Sequence, residues 1–224
     1  MRVKLLVGLT GHNAQECLAK IADLKNHRIK EAALFLEQID RSGRRQVYKA
    51  LEASGLKKIP LVHLRHDMSR AELVLLAEKY QTKYFTIHED HFGIIKRWRG
   101  FYQNLYLEMS TDDHVALNVK VEKIGGFCVD LAHYKKQSMM DNRDFTYVYN
   151  RQGKRRLFAC NHLNGYDYQE NNDMHRIFSR HNFRYLKTLP RFVFGRVMAL
   201  ETYNTLAEQL SYKQYLEVML KELY

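Results

Sequence analysis

Short runs of apolar and β-branched residues recur along this chain, and between them the apolar positions fall three and four apart. The runs VKLLVGL (3–9), EAALFLE (31–37), KIPLVHL (58–64), KYFTIH (83–88), NLYLEM (104–109), GGFCVDL (125–131), RLFACNHL (156–163) and RVMALE (196–201) have the length and composition of strands. Helical spacing predicts helices from about Asn13 to Leu24, from Ser42 to Ala53 and from Thr205 to Leu223. A further helix, AELVLLAEKY, follows a Ser69 cap and carries Leu73, Leu75, Leu76 and Tyr80 at helical spacing. Eight strand–helix units of about 28 residues each predict a parallel sheet with right-handed crossovers, closed into a single (β/α)8 barrel. The structural alternative is an open doubly wound sheet. It usually carries a glycine-rich phosphate loop after its first strand, and the Gly8–Gly11 spacing in GLTGHNAQ does not fit that pattern.

Composition narrows this little. The length of 224 residues suits one barrel domain over 1–224, and 46% hydrophobic residues can fill its core. Only 2 prolines and 11 glycines argue against long disordered linkers. Cys17, Cys128 and Cys160 are odd in number and form no CxxC pair, so neither a disulfide framework nor a cysteine-rich zinc site is expected. Cys128 and Cys160 read as packed thiols. The run LLVGL is too short for a signal peptide and reads as part of the first strand. No apolar stretch reaches the roughly 20 residues needed to span a bilayer, and a reducing cytoplasm is the expected setting.

Charge changes the picture more. A formal net charge of +11 favours an anionic partner, whether nucleic acid, a phosphorylated sugar or an anionic membrane surface, or is charge scattered over solvated helix faces. Trp98, Tyr102 and Tyr134 lie among Lys96, Arg97, Arg99, Lys135 and Lys136. Such aromatics can stack on bases or pack beneath their own helices.

The candidate chemistry sits at strand ends. His63, His88, Glu108, Asp130, His162 and Glu201 close six successive strand runs, and barrel active sites form at that rim from residues on several strands. Imidazole and carboxylate groups converging there suit a divalent ion such as Zn2+, Mn2+ or Mg2+, and Glu108 and Glu201 can bridge two ions. His133 follows Asp130 by three residues and faces the same pocket if a helical turn begins there. Asp173 and His175 alternate after the seventh strand, which puts both on one side of an extended loop. At the third strand His63 fits the strand end, while His66, beside Asp67, fits the following loop. His91 and His114 read as exposed or helix-starting residues.

The order Glu108, Asp130-x-x-His133, His162, Glu201 resembles the xylose-isomerase-like barrel superfamily, which holds sugar isomerases and epimerases as well as endonuclease IV and the UV-damage endonucleases. The resemblance spans the chain in strand order and rests on sparse motifs. In the sugar enzymes it implies one divalent ion held by Glu108, Asp130, His162 and Glu201, with both glutamates moving protons at neighbouring carbons and His133 contacting substrate. In the endonuclease branch it implies up to three ions. His63, His88 and Glu108 hold one, Glu108, Asp130, His162 and Glu201 a second, and His133, Asp173 and His175 a third.

The sequence departs from that branch. LEMSTDDH (107–114) and VDLAHYKKQ (129–137) lack its strand signatures, and RIFSRHNF (176–183) replaces its glycine-rich stretch. Two functions follow as expectations. The first is phosphodiester hydrolysis on damaged or abasic DNA by a cluster of Zn2+ or Mn2+ ions. The alternative is isomerisation or epimerisation of a sugar or sugar phosphate, with Glu108 and Glu201 as the proton-transfer pair and Arg65 or Arg176 meeting a phosphate. A non-catalytic barrel with a partial ligand set is a third possibility, disfavoured because every ligand position has a candidate.

Overall fold

In the computed structural model, which describes residues 3–223, the eight apolar runs become the staves of one parallel sheet. The first stave is split at Val7 into β1 (Lys4–Leu6) and β2 (Gly8–Leu9). The next six are β3 (Ala33–Phe35), β4 (Leu61–His63), β5 (Tyr84–His88), β6 (Leu105–Glu108), β7 (Gly126–Asp130) and β8 (Phe158–Leu163). A two-stranded hairpin, β9 (Gly165–Asp167) and β10 (Asn172–Met174), precedes the last stave, β11 (Val197–Leu200). The hydrogen-bonded order runs β1-β11-β8-β7-β6-β5-β4-β3-β2. Because β1 and β2 are halves of one strand, this order returns to its start and the sheet closes.

Closure depends on two residues. β1 pairs with β11 as far as Leu6↔Ala199, and β2 pairs with β3 from Gly8↔Ala33. Between these ladders the Gly8 N–H donates to Gln209 Oε1 at 2.7 Å, and Gln209 Nε2 donates back to the Gly8 carbonyl at 3.1 Å. A buried side-chain amide therefore replaces the missing ladder bonds. A Cβ on Gly8 would lie 1.9 Å from the Leu200 carbonyl oxygen, so only glycine permits this approach.

Strand alternation sorts side chains into two layers. Leu6, Phe35, Leu61, Cys128, Cys160 and Ala199 fill the barrel interior. Residues of opposite parity, including Leu5, Leu34, Val62, Phe127, Val129 and Met198, join the larger core outside the sheet. His63 lies two residues beyond Leu61, Asp130 two beyond Cys128, His162 two beyond Cys160 and Glu201 two beyond Ala199. The polar rim thus continues the interior-facing rows of the barrel.

The helices fill only part of the predicted pattern. They are α1 (Ala14–Asp23), α2 (Arg41–Ser54), α3 (Arg70–Tyr80), α4 (Leu131–Met140), α5 (Arg143–Tyr149) and α6 (Leu206–Leu223). Ser69 and Glu72 form a reciprocal capping box at α3. After β5, β6 and β8, however, the chain returns through 3-10 turns and loops, among them Glu89–Trp98, Val121–Lys123 and Arg180–Thr188. Gly93 interrupts the first of these, and the stretch 110–120 has no apolar helical period, so no α-helix forms in either place. Arg44 ties α2 to α3 from a buried position. Its guanidinium donates to Glu72 Oε1 at 2.8 Å, to Asp67 Oδ1 at 2.8 Å and to the Ile39 carbonyl at 2.9 Å. Among the described residues no helix is long and apolar enough to cross a membrane.

Candidate metal centre

Glu108 ends β6, Asp130 ends β7, His162 lies near the end of β8, and Glu201 follows β11 by one residue. All four are buried, and one ligand atom from each lies within 4.8 Å of the others. His162 Nδ1 is the hub, 3.0 Å from Glu108 Oε2 and 3.1 Å from Glu201 Oε2. Its other nitrogen, Nε2, meets Thr86 Oγ1 at 3.2 Å, and Phe35 packs edge-on to the ring at 5.1 Å between centroids. Asp130 is the N-cap of α4, where its Oδ1 accepts from the His133 N–H at 2.8 Å and its Oδ2 accepts from Asn164 Nδ2 at 3.0 Å. This helical turn is what brings His133 round to face the same pocket.

Two smaller groups flank these four. On one side His63, His88 and Glu108 converge, with His63 Nε2 3.6 Å from Glu108 Oε2 and the His63 and His88 ring centroids 4.7 Å apart. Glu37, two residues past β3, contacts His63 Nδ1. On the other side His133, Asp173 and His175 converge. Asp173 Oδ2 is 3.5 Å from His133 Nε2 and 3.3 Å from His175 Nε2. The β9–β10 hairpin presents Asp173, and His175 is anchored by a 3.1 Å contact between its Nδ1 and the Glu201 carbonyl. All nine residues singled out in the sequence therefore meet at one rim. At the third strand it is His63 that reaches the centre, while His66 is exposed on the loop. His91 is half-buried in the first turn of the 3-10 run after β5, its ring 6.0 Å from His88 and 5.3 Å from His66, in the helix-starting place expected of it.

The electrostatics show what the centre lacks. Glu108 Oε2, Glu201 Oε2, His162 Nδ1, His133 Nδ1 and both His63 nitrogens are sealed from solvent, and the contacts they make with one another and with Glu37 are not aligned as hydrogen bonds. Buried polar atoms left so are costly and rare. The ligand atoms of Glu108, Asp130, His162 and Glu201 that lie within 4.8 Å of one another form a donor set that a divalent cation would satisfy. Burial raises the Asp130 carboxyl to about 6, with help from the Glu108 and Glu201 charges, against the opposing pull of His133. Burial opposes a charge on His133, yet Asp130, Asp173 and Glu108 overcome it and raise the imidazole to about 9. His175 is raised to about 10 in the same way, against burial, with Asp173 and Glu201 as the main partners.

Some residues were missed or misjudged in the sequence. Glu37 ends the second apolar run, where the other runs place their ligands, and that position was its available signal. Thr86 and Asn164 carry no local signal. Trp98 is fully buried, with its Nε1 donating to the Met68 carbonyl at 2.9 Å, and Tyr134 is buried as well. Neither can stack on a base. Cys128 and Cys160 are buried free thiols, and burial together with its contact to Cys160 pushes Cys128 well above the ordinary thiol range.

A closed parallel barrel with clustered imidazole and carboxylate ligands at the carboxyl ends of its strands has the build of a metal-dependent TIM-barrel enzyme. Among solved structures the chain is similar to a crystal structure of a D-tagatose 3-epimerase-like protein. The two share 12% sequence identity at a TM-score of 0.55, over 98% of this chain and 100% of that one. The likeness is one of fold. No family model and no curated protein matches the chain.

Proposed function

We propose that this chain is a divalent-metal-dependent isomerase or epimerase of a sugar or sugar phosphate. The observation that carries the reading is the pair Glu108 and Glu201. They reach His162 Nδ1 from β6 and β11, two staves separated in the sheet by β7 and β8. The whole-chain likeness in fold to the D-tagatose 3-epimerase-like protein supports it. So does the burial of Trp98 and Tyr134, which removes two of the three aromatics available to nucleic acid.

In this reading Glu108, Asp130, His162 and Glu201 hold the ion. A bound ion there supplies Lewis-acid polarisation of substrate oxygens, which acidifies the neighbouring C–H. One glutamate takes the proton from a carbon beside a carbonyl, and the electron pair left on carbon moves into the carbonyl oxygen. For epimerisation the partner glutamate returns a proton at the same carbon and the carbonyl re-forms; for isomerisation it returns the proton at the former carbonyl carbon, while the hydroxyl proton of the first carbon passes to the former carbonyl oxygen and the new carbonyl forms at the first carbon. His133, whose imidazole Asp130, Asp173 and Glu108 hold above its ordinary range, donates to a substrate oxygen. Arg65, at the rim past β4, meets the phosphate of an anionic substrate, its Nε otherwise 3.5 Å from Asp67 Oδ1.

A second reading rests on the two flanking groups. His63–His88–Glu108 and His133–Asp173–His175 give ligands for two more ions, which suits phosphodiester hydrolysis. One experiment separates the two. The metal-loaded chain is incubated in D2O with ketoses and their phosphates, and deuterium entry at carbon is followed by NMR. The sugar reading expects exchange and about one tightly held ion per chain. Absence of exchange with every sugar, together with nicking of abasic duplex DNA and two or three ions per chain, would replace it with the second.

A further inference from the structure

Three carboxylates outside the nine rim residues meet on the far side of the β5 exit. Glu89 begins the 3-10 run after β5, Asp112 lies in the loop between β6 and β7, and Asp144 stands in the first turn of α5. One oxygen from each lies within 4.8 Å of the others. Asp112 is exposed, whereas Glu89 and Asp144 are 5% and 0% exposed. Glu89 makes no side-chain hydrogen bond with any described residue, and its Oε2 is shut off from solvent. Asp144 Oδ1 is likewise buried and unpartnered, while its Oδ2 accepts from the Asp113 N–H at 3.0 Å. Among the described residues no Lys, Arg or His side chain pairs with any of the three, and Asp112 Oδ1 accepts only from the His114 backbone N–H, at 3.1 Å.

That arrangement is expensive for the protein alone. Buried carboxylates facing one another without a counter-charge must take up protons or hold a cation. A donor set made entirely of carboxylate oxygens, with no imidazole, selects a hard ion of the Ca2+ or Mg2+ kind over Zn2+. One exposed ligand, Asp112, leaves room for the waters such ions retain.

We propose that Glu89, Asp112 and Asp144 form a separate site for a hard divalent cation, Ca2+ by preference, which clamps the β6–β7 loop against α5. The loop is already docked there, since Asp113 accepts from the Arg143 N–H at 2.7 Å. Asp113 itself sits at φ 58, which turns its own N–H toward Asp144. The clamp joins the residue after His88 to the loop that leaves Glu108. It therefore fixes the backbone behind two residues of the rim without contacting substrate.

The test is calorimetric titration of Ca2+ into the full chain, preloaded with Zn2+ and desalted so that the imidazole groups are filled. One Ca2+ per chain is expected, with Asp112→Ala and Glu89→Gln each weakening binding at least about tenfold. Asp90→Asn, next to the site in sequence but outside the trio, should bind as the wild type does. The melting temperature should rise with Ca2+ in the wild type and not in Asp112→Ala, an exposed position whose loss does not threaten folding. Absence of saturable Ca2+ binding, or unchanged affinity in Asp112→Ala, overturns the proposal. So does a Glu89→Gln chain that melts higher than a wild type indifferent to Ca2+, because the carboxylates are then neutralised by protons alone.

Discussion

Asn164 holds Asp130: its Nδ2 donates to Asp130 Oδ2 at 3.0 Å, while the carboxylate's other oxygen caps α4. Asn164 is itself fixed, because Tyr185 Oη donates to its carbonyl at 3.0 Å. A ligand oriented from behind binds its ion better than a free one. Asn164→Ala should therefore weaken divalent-metal binding by about tenfold or more with the fold intact, as read by competition against a chromophoric chelator and by circular dichroism. Unchanged affinity would mean that the α4 cap alone positions Asp130.

The two glutamates should separate binding from chemistry. Glu201→Gln and Glu108→Gln keep an oxygen ligand but lose the proton acceptor. Each should lower turnover by at least about 100-fold in the D2O exchange assay. Metal content measured on the same preparations shows whether that loss comes from chemistry or from an ion that is no longer held.

Barrel closure makes its own prediction. A methyl at Gly8 would meet the Leu200 carbonyl at 1.9 Å, and that oxygen belongs to the β11 backbone. Gly8→Ala should cost about 3 kcal/mol in urea unfolding, the upper range for overpacking a tight core. Gln209→Ala, which strands the Gly8 N–H and carbonyl, should lower stability by a smaller amount, about 1–3 kcal/mol.

Lys20 gives a pH dependence with a defined sign. Its ammonium is buried beneath the rim and donates to the Thr202 carbonyl at 2.7 Å. Burial pushes it down from 10.5 to about 8, against the opposing pull of Cys17, Glu16 and Glu208. Between those values the unfolded chain binds the proton and the folded chain does not, so stability rises as pH rises through this window. Below pH 8 the burden of the buried charge is fully present. Wild type should gain up to ~3 kcal/mol from this group between pH 8 and 10.5, and Lys20→Met should lose that slope in chemical denaturation at several pH values.

The sequence by itself determined the staves and the inventory of candidate ligands. A parallel strand buried on both faces must be a short apolar run, and eight such runs leave little choice of architecture. The polar residue closing each run marks the carboxyl rim, which is why His63, His88, Glu108, Asp130, His162 and Glu201 stood out before any coordinates. What only the tertiary structure decided is which of these atoms meet. Glu37 against His63, Asn164 behind Asp130 and Gln209 at Gly8 join residues 26, 34 and 201 positions apart, and such pairings leave no periodic trace in the chain. The 3-10 returns after β5 and β6 carry a local signal, Gly93 in the first and the missing apolar helical period of 110–120 in the second, which the regular βα spacing overrode. Local pattern sets what each segment is, and the closure of the barrel sets what each side chain touches.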